Sequence, residues 1–315
     1  MVFFGTPEAA VPALRTLAAA GVPPVLVVVP PERPRTRGGH REPAPVAAAA
    51  EVLGLPVLSA ADVNAPGVVA ALHARRPDLF VIVAFGQIFG REVLGLPRLG
   101  TLNLHFSLLP RWRGAAPVQR AIEAGDPTTG VTVQRVEERL DAGAVVARRE
   151  TPIEPGERAG DLEDRLSDVG AALLADVVAH LHDGGALIDG KSQDRALATY
   201  ARKVEKAEGR ADFTLSPAAF ERRARAFHPW PLASAEVRSG KGAPVRVSIH
   251  RVAAGRASGV RSKPGTVLAA AKDGIEVACG KGSVVLLELQ RAGGKVLPAA
   301  AFLNGLRLAK GDRFG

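Results

Sequence analysis

DLFVIVAFG, residues 78–86, is apolar at every position between its first aspartate and its last glycine. A strand with one face in water alternates polar and apolar side chains, so a run with no polar member is buried on both faces. That is the condition of a parallel sheet covered by helices on either side. The chain around it repeats the theme. VFFG (2–5), PPVLVVVP (23–30) and LPVLS (55–59) are further short apolar runs. Between them, PEAAVPALRTLAAAG (7–21), PVAAAAEVLG (45–54) and GVVAALHARRP (67–77) carry apolar residues at helical spacing, the first ending on Gly21. Strand and helix in alternation predict an α/β, Rossmann-like domain with a mostly parallel sheet.

Downstream lies TLNLHFSLLPRWRGAAP (101–117), in which Asn103, His105 and Ser107 alternate with Leu102, Leu104 and Phe106. On a strand the three polar side chains share one face. Two readings follow: a half-buried strand with its polar face in water, or a strand that delivers an amide and an imidazole into a cleft at the carboxyl edge of the sheet. GVTVQRVEERLDAGAVVARR (130–149) then has strand character around Thr132–Val136, and Leu140-Asp141-Ala142-Gly143 reads as a turn into another strand. Asp141 reaches His105 only if this hairpin folds back over the sheet's edge. A carboxylate beside an imidazole orients it, and a nearby amide can donate to a developing oxyanion. Such a set suits acyl transfer to an amine with no covalent intermediate. Ser107 lacks the Gly-x-Ser-x-Gly elbow of a serine nucleophile.

Other classes recede on composition. Gly5 is followed by no Gly-x-Gly-x-x-Gly, and GIEVACGKG has neither the spacing nor the Ser/Thr of a phosphate loop. No Cys-x-x-Cys or His-Glu-x-x-His pair suggests zinc, so no metal is expected. The single cysteine, Cys279, points to a reducing, cytoplasmic setting, and no segment reads as a signal peptide or membrane span. Charge is divided unevenly. Residues 1–200 hold 20 Lys and Arg against 23 Asp and Glu, whereas residues 201–315 hold 21 against 9. A basic half points to an anionic partner, nucleic acid first, or else to a solvated surface. After the aperiodic stretch 184–203 come RVSIHRV, GTVLAA, GIEVAC and SVVLLELQ, broken by KDG (272–274) and GKG (280–282). These are the hairpin signals of a small β-barrel. The expected layout is residues 1–185 as the α/β domain, 186–204 as a linker and 205–315 as an OB-like barrel domain. Arg222, Arg223 and Arg225 in SPAAFERRARAF are open to two readings, a solvated helix face or part of a nucleic-acid surface.

The run NLHFSLLPRWRGAAPVQRAI with GD at 125–126, followed by TGVT and LDAG, resembles the folate-dependent formyltransferases. The PPERPRTRG loop, FHPWP (227–231) and GKVLPAAAFLNG (294–305) are similar to the branch of that family that acts on initiator methionyl-tRNA. The resemblance implies an enzyme that passes the formyl group of 10-formyltetrahydrofolate to the α-amine of that methionine. It implies Asn103, His105 and Asp141 as the catalytic trio, and Ser107, Leu108, Leu109 and Pro110 as the turn that meets the folate, with Gly86 near the pterin pocket. It implies Arg37, with Arg41, as the basic loop at the tRNA acceptor end, although Gly39 and His40 stand where lysine is common. A monomer that binds tRNA through the barrel, with no membrane association, completes the expectation. A sugar-nucleotide N-formyltransferase, or a nucleic-acid-binding protein with an inactive catalytic domain, are the alternatives.

Overall fold

The structure, a computed structural model, describes residues 1–32, 43–185, 189–240, 242–255 and 259–315. Its contacts divide the chain into two units. One comprises Met1–Pro117, Thr128–Pro152 and Glu163–Ala201; the other comprises Val118–Pro127, Ile153–Leu162 and Arg202–Gly315.

The first unit runs β1 (Val2–Gly5), α1 (Val11–Ala19), β2 (Leu26–Val29), α2 (Pro45–Val52), β3 (Val57–Ser59), α3 (Pro66–Ala74), β4 (Phe80–Val83), α4 (Arg91–Leu94), β5 (Thr101–His105) and the short β6 (Arg113–Gly114). After α5 (Pro117–Ala124), which from Val118 on belongs to the second unit, come β7 (Thr128–Arg135), β8 (Val145–Pro152), α6 (Ala159–His182), of the first unit from Glu163 on, and the short β9 (Tyr200–Ala201). Prolines open α2 and α3, where the missing N–H has no helical acceptor to lose. Gly21 and Gly54, at φ of +78° and +66°, let the chain turn away after α1 and α2.

Seven strands form one sheet in the order β3-β2-β1-β4-β5-β7-β8. The first five are parallel; β7 and β8 are antiparallel additions. All residues of β1, β2 and β4 are buried, as their unbroken apolar runs require. The strand order reverses at β1, which opens a crevice at the carboxyl ends of β1, β4 and β5. Register aligns Val28, Phe4, Ile82, Asn103 and Gln134 in one row across the sheet. The row is apolar as far as β4 and turns to amides at β5 and β7. Phe4 anchors that face, with its ring edge-to-face against Phe80, Phe85 and Phe89 at centroid distances of 5.0, 5.5 and 5.0 Å.

In the second unit, α7 (Pro217–Ala226) is capped by the Ser216 hydroxyl. Then follow β10 (Ala233–Arg238), β11 (Val245–Ala254), β12 (Val267–Ala271), β13 (Gly274–Cys279), β14 (Gly282–Arg291), β15 (Val296–Pro298), α8 (Ala299–Gly305) and β16 (Arg313–Phe314). The sheet order is β12-β13-β14-β11-β10-β16, with β15 beside β14. The Val267 N–H donates to the Asp312 carbonyl and the Phe314 N–H to that of Gly265, at 2.8 and 2.9 Å. These bonds bring the last strand back to β12 and nearly close the barrel. Val247, Ile249, Val277, Val284, Leu286 and Phe314 fill it. Cys279 is buried here, and burial, with the negative charge of Asp212 added, pushes its thiol up to about 11.

The α7 arginines each hydrogen-bond within this unit. Arg222 donates to the Glu123 carbonyl, Arg223 to that of Glu208, and Arg225 to Glu221 and the Glu157 carbonyl. Arg120, 5% exposed, forks onto both oxygens of Glu208 at 2.9 Å. That hydrogen-bonded partner, more than any other group, holds the Glu208 carboxyl at about 2. A carboxyl depressed in the folded state stabilises above the ordinary carboxylate range, and the contribution is lost as pH falls toward 2. Glu208→Gln therefore leaves Arg120 with Glu123, 2.6 Å from its Nη1, as its remaining carboxylate partner, and should cost about 2 kcal/mol at neutral pH. In urea unfolding across a pH series, the deficit against the parent should shrink between about pH 5 and pH 2.

Candidate functional site

The site grows from the end of β5. β7 pairs antiparallel with β5, setting His105 opposite Thr132 and Asn103 opposite Gln134. The hairpin that carries Asp141 therefore extends the sheet edge-on, and does not fold back over it. The reason is the backbone of β5, whose outer N–H and C=O groups need a partner once β4 has taken the inner ones. Both faces of β5 are largely covered. Leu102 and Leu104 are buried on one, His105 on the other is 6% exposed, and Asn103 is half-buried. The reading of a strand with a polar face in water is thus replaced by one that delivers side chains inward.

His105 is held from two sides. Its Nε2 lies 2.9 Å from the Trp112 carbonyl, which can only accept, so Nε2 carries the hydrogen. Nδ1 then points at Asp141, with Oδ2 3.7 Å away. That separation is an ion-pair distance and exceeds a hydrogen bond; the neutral ring presents a lone pair there. Asp141 sits in the left-handed region at φ +49°. Its Oδ2 accepts from the Gly114 N–H at 2.8 Å and its Oδ1 from Gln134 Nε2 at 2.8 Å. Both oxygens of a carboxylate that is 10% exposed are thereby satisfied by neutral donors. The trio expected from sequence is brought together, with Asn103 on the face that His105 shares.

The turn after β5 is secured by one hydroxyl. Thr132, fully buried, donates to the Ser107 carbonyl at 2.6 Å and accepts from the Leu109 N–H at 3.2 Å. Ser107 Oγ donates to the Arg111 carbonyl at 2.6 Å, closing residues 107–111 into a compact turn with a cis Leu109–Pro110 bond. Leu109 is buried; Leu108 and Pro110 are half-buried. Gly86 follows the neighbouring strand β4 at φ +79°, exposed and with nothing within 4 Å of where a Cβ would stand. Arg37 and Arg41 lie outside the described residues.

Sequence reasoning missed several members. Gln134 was legible, because T-V-Q in β7 repeats the alternation of N-L-H in β5. The Trp112 carbonyl and the Gly114 N–H are backbone groups that no residue pattern marks. Arg113 and Gln193 also belong, joined through Nε and Nη2 to Oε1 at 3.1 and 2.7 Å. Gln193 comes from the aperiodic stretch. Among the described residues no group of three or more His, Cys, Asp or Glu could hold a metal ion, and no helix is long and apolar enough to cross a membrane.

Comparison with known proteins finds the formyl transferase family over residues 1–178 and the formyl transferase C-terminal domain over residues 203–307. The chain is 42% identical to a protein of Methylococcus capsulatus named methionyl-tRNA formyltransferase, over 100% of this chain and 99% of that one. It is 46% identical to a protein of the same name from Halorhodospira halophila, over 99% and 98% of the two. Among solved structures, an N-formyltransferase from Helicobacter canadensis, in complex with folinic acid and dTDP-3-aminofucose, shares the fold at a TM-score of 0.62. It is 14% identical, over 90% of this chain and 97% of that one. HypX from Aquifex aeolicus, in complex with tetrahydrofolic acid, does so at 0.60 and 19% identity, over 98% of this chain and 48% of that one.

The Thr132 hydroxyl offers a direct check of how the site turn is built. Thr132→Val keeps the shape but leaves the buried Ser107 carbonyl and Leu109 N–H unpaired, at a cost of about 1–3 kcal/mol. Thermal unfolding should show that loss, and Thr132→Ser should recover most of it.

Proposed function

The chain belongs to the formyl transferase family, and on that premise we propose that it transfers the formyl group of 10-formyltetrahydrofolate to the α-amine of methionine on initiator methionyl-tRNA. The observation that carries the reading is the extent of its likeness to the methionyl-tRNA formyltransferases, which runs through sheet and barrel alike. A sugar-nucleotide substrate would leave the basic loop around Arg37 and Arg41, and the excess of positive charge after residue 200, without a partner to meet.

In this reading Asn103 donates its amide hydrogens to the oxyanion that forms when the amine adds to the formyl carbon. His105, its Nε2–H committed to the Trp112 carbonyl, takes the amine's proton at Nδ1. Asp141, 3.7 Å from that nitrogen, stabilises the resulting imidazolium. The formyl carbon gains a bond to the methionine nitrogen and loses its bond to N10 of the folate, and N10 receives the proton that the amine gave up. The Ser107–Pro110 turn and Gly86, at the carboxyl ends of two adjacent strands, meet the folate; at Gly86 the absent side chain lets a flat ring approach the backbone. Residues 1–185 carry the chemistry, with Gln193 of the 186–204 stretch bonded into the site, and residues 205–315 hold tRNA phosphates. The reaction belongs in the cytoplasm, where one unpaired cysteine is at home.

Formylation of charged initiator tRNA, set beside an amino-sugar nucleotide with the same donor, tests the substrate. Turnover of the sugar in place of the tRNA overturns the reading. Asn103→Ala should lower kcat by roughly 10²–10³ with tRNA affinity little changed. Filter binding of the tRNA across a salt series should give log affinity falling linearly with log salt concentration. Arg37→Ala should flatten that slope by about 1 unit or less while reducing turnover more strongly.

A further inference from the structure

Gln193 lies in a stretch with no periodicity, is only half-buried, and yet its side-chain amide makes five hydrogen bonds. Oε1 accepts from Nε and Nη2 of Arg113. Nε2 donates to the Gly143 carbonyl at 2.7 Å and the Asp141 carbonyl at 2.9 Å, with Gln134 Oε1 farther off at 3.3 Å. The orientation is unambiguous. A flipped amide would set an oxygen against two carbonyls and an NH₂ against a guanidinium.

The backbone fixes residue 193 from both sides. Lys191 and Val145 exchange N–H to C=O bonds in both directions at 2.8 Å. Farther on, Tyr200 and Ala201 pair with Arg113 and Gly114. The amide is thereby placed inside the β7–β8 turn, where it clips together the carbonyls of two residues, 141 and 143. That turn is under constraint. Asp141 holds a positive φ that a non-glycine residue adopts at a cost, and such a conformation persists only where its surroundings over-determine it. Gly143 cannot carry a side chain, since a Cβ would lie 1.9 Å from the Arg135 carbonyl oxygen. Arg113, 5% exposed, aims two N–H groups at Oε1 and so polarises the amide toward the turn.

We propose that Gln193 is a positioning residue for formyl transfer: its amide hydrogens, on the carbonyls of Asp141 and Gly143, hold the left-handed turn that aims the Asp141 carboxylate at His105. The inference rests on the roles given above to Asp141 and His105. Gln193 acts on the geometry of the proton-handling pair and touches neither substrate.

The test compares Gln193→Ala, Gln193→Glu and Asp141→Asn in the full-length chain. Steady-state formylation of charged initiator tRNA by 10-formyltetrahydrofolate is followed alongside thermal unfolding by circular dichroism. Gln193→Ala should lower kcat about 10- to 100-fold, the loss expected of a misplacement near 1 Å. KM for both substrates should stay within about twofold, because ground-state binding does not use the turn. Gln193→Glu should lose as much, since its carboxylate still accepts from Arg113 but has no hydrogen for the carbonyls. Normal kcat in Gln193→Glu would assign the effect to Arg113 anchoring and overturn the proposal. So would normal kcat in Gln193→Ala, or an activity loss that merely follows the unfolded fraction. If Asp141→Asn itself turns over normally, the reading of Asp141 falls and this proposal with it. An inactive Asp141→Asn beside a fully active Gln193→Ala overturns the role of Gln193 alone.

Discussion

Because β7 runs antiparallel along β5, with His105 opposite Thr132 and Asn103 opposite Gln134, the last parallel strand of the sheet gains a neighbour whose side chains work on its polar face. Gln134 reaches the Asp141 carboxylate, Thr132 secures the turn after the strand, and the hairpin returns Asp141 to the histidine. All of this depends on register. A slip of one residue would turn Gln134 and Thr132 to the opposite face and carry the carboxylate out of reach. Apolar neighbours guard against the slip. Val131 and Val133, buried on the far face of β7, would be driven toward the amides by the same shift.

A carboxylate and an imidazole so well covered need partners that do not neutralise them. The site supplies neutral dipoles: a backbone N–H and an amide for Asp141, and a backbone carbonyl for His105. An arginine bonded directly to Asp141 would compete with the imidazolium for its charge. Arg113 instead acts through an intervening amide. Backbone donors also explain the glycines. At Gly114 a Cβ would lie 2.7 Å from the Ala201 carbonyl oxygen, so a side chain there would push apart the segments that present the N–H to the carboxylate.

The sheet was legible because its strands are buried on both faces and its helices announce themselves with proline and glycine. The alternation of Asn103, His105 and Ser107 was equally plain. Less could be read of what depends on distance along the chain. That Asp141 meets His105 is decided by a strand pairing, and a spacing of 36 residues does not encode it. Gln193 had no local signal, because a side chain that bonds backbone carbonyls needs neither an apolar pattern nor a turn of its own. In the barrel, β11 to β14 carry alternating aliphatic residues and hairpin glycines. β10 alternates as well, but its inward side chains are Ala233, Ala235 and Val237, which offer little apolar area to mark it, and the two residues of β16 take their place from their neighbours. The arginines of α7 were ambiguous because charge alone does not tell a solvent-facing guanidinium from one bonded to main-chain carbonyls.

Cys279 has a practical corollary. Thiol reagents and peroxide attack the thiolate, and a thiol held at about 11 inside the barrel presents almost none near neutrality. The chain has no other cysteine, so it is in effect silent toward maleimides while folded. A cysteine placed at an exposed position such as Val296 would then be a unique address for a fluorophore or spin label. No native thiol would first have to be removed, and the barrel core would stay as it is.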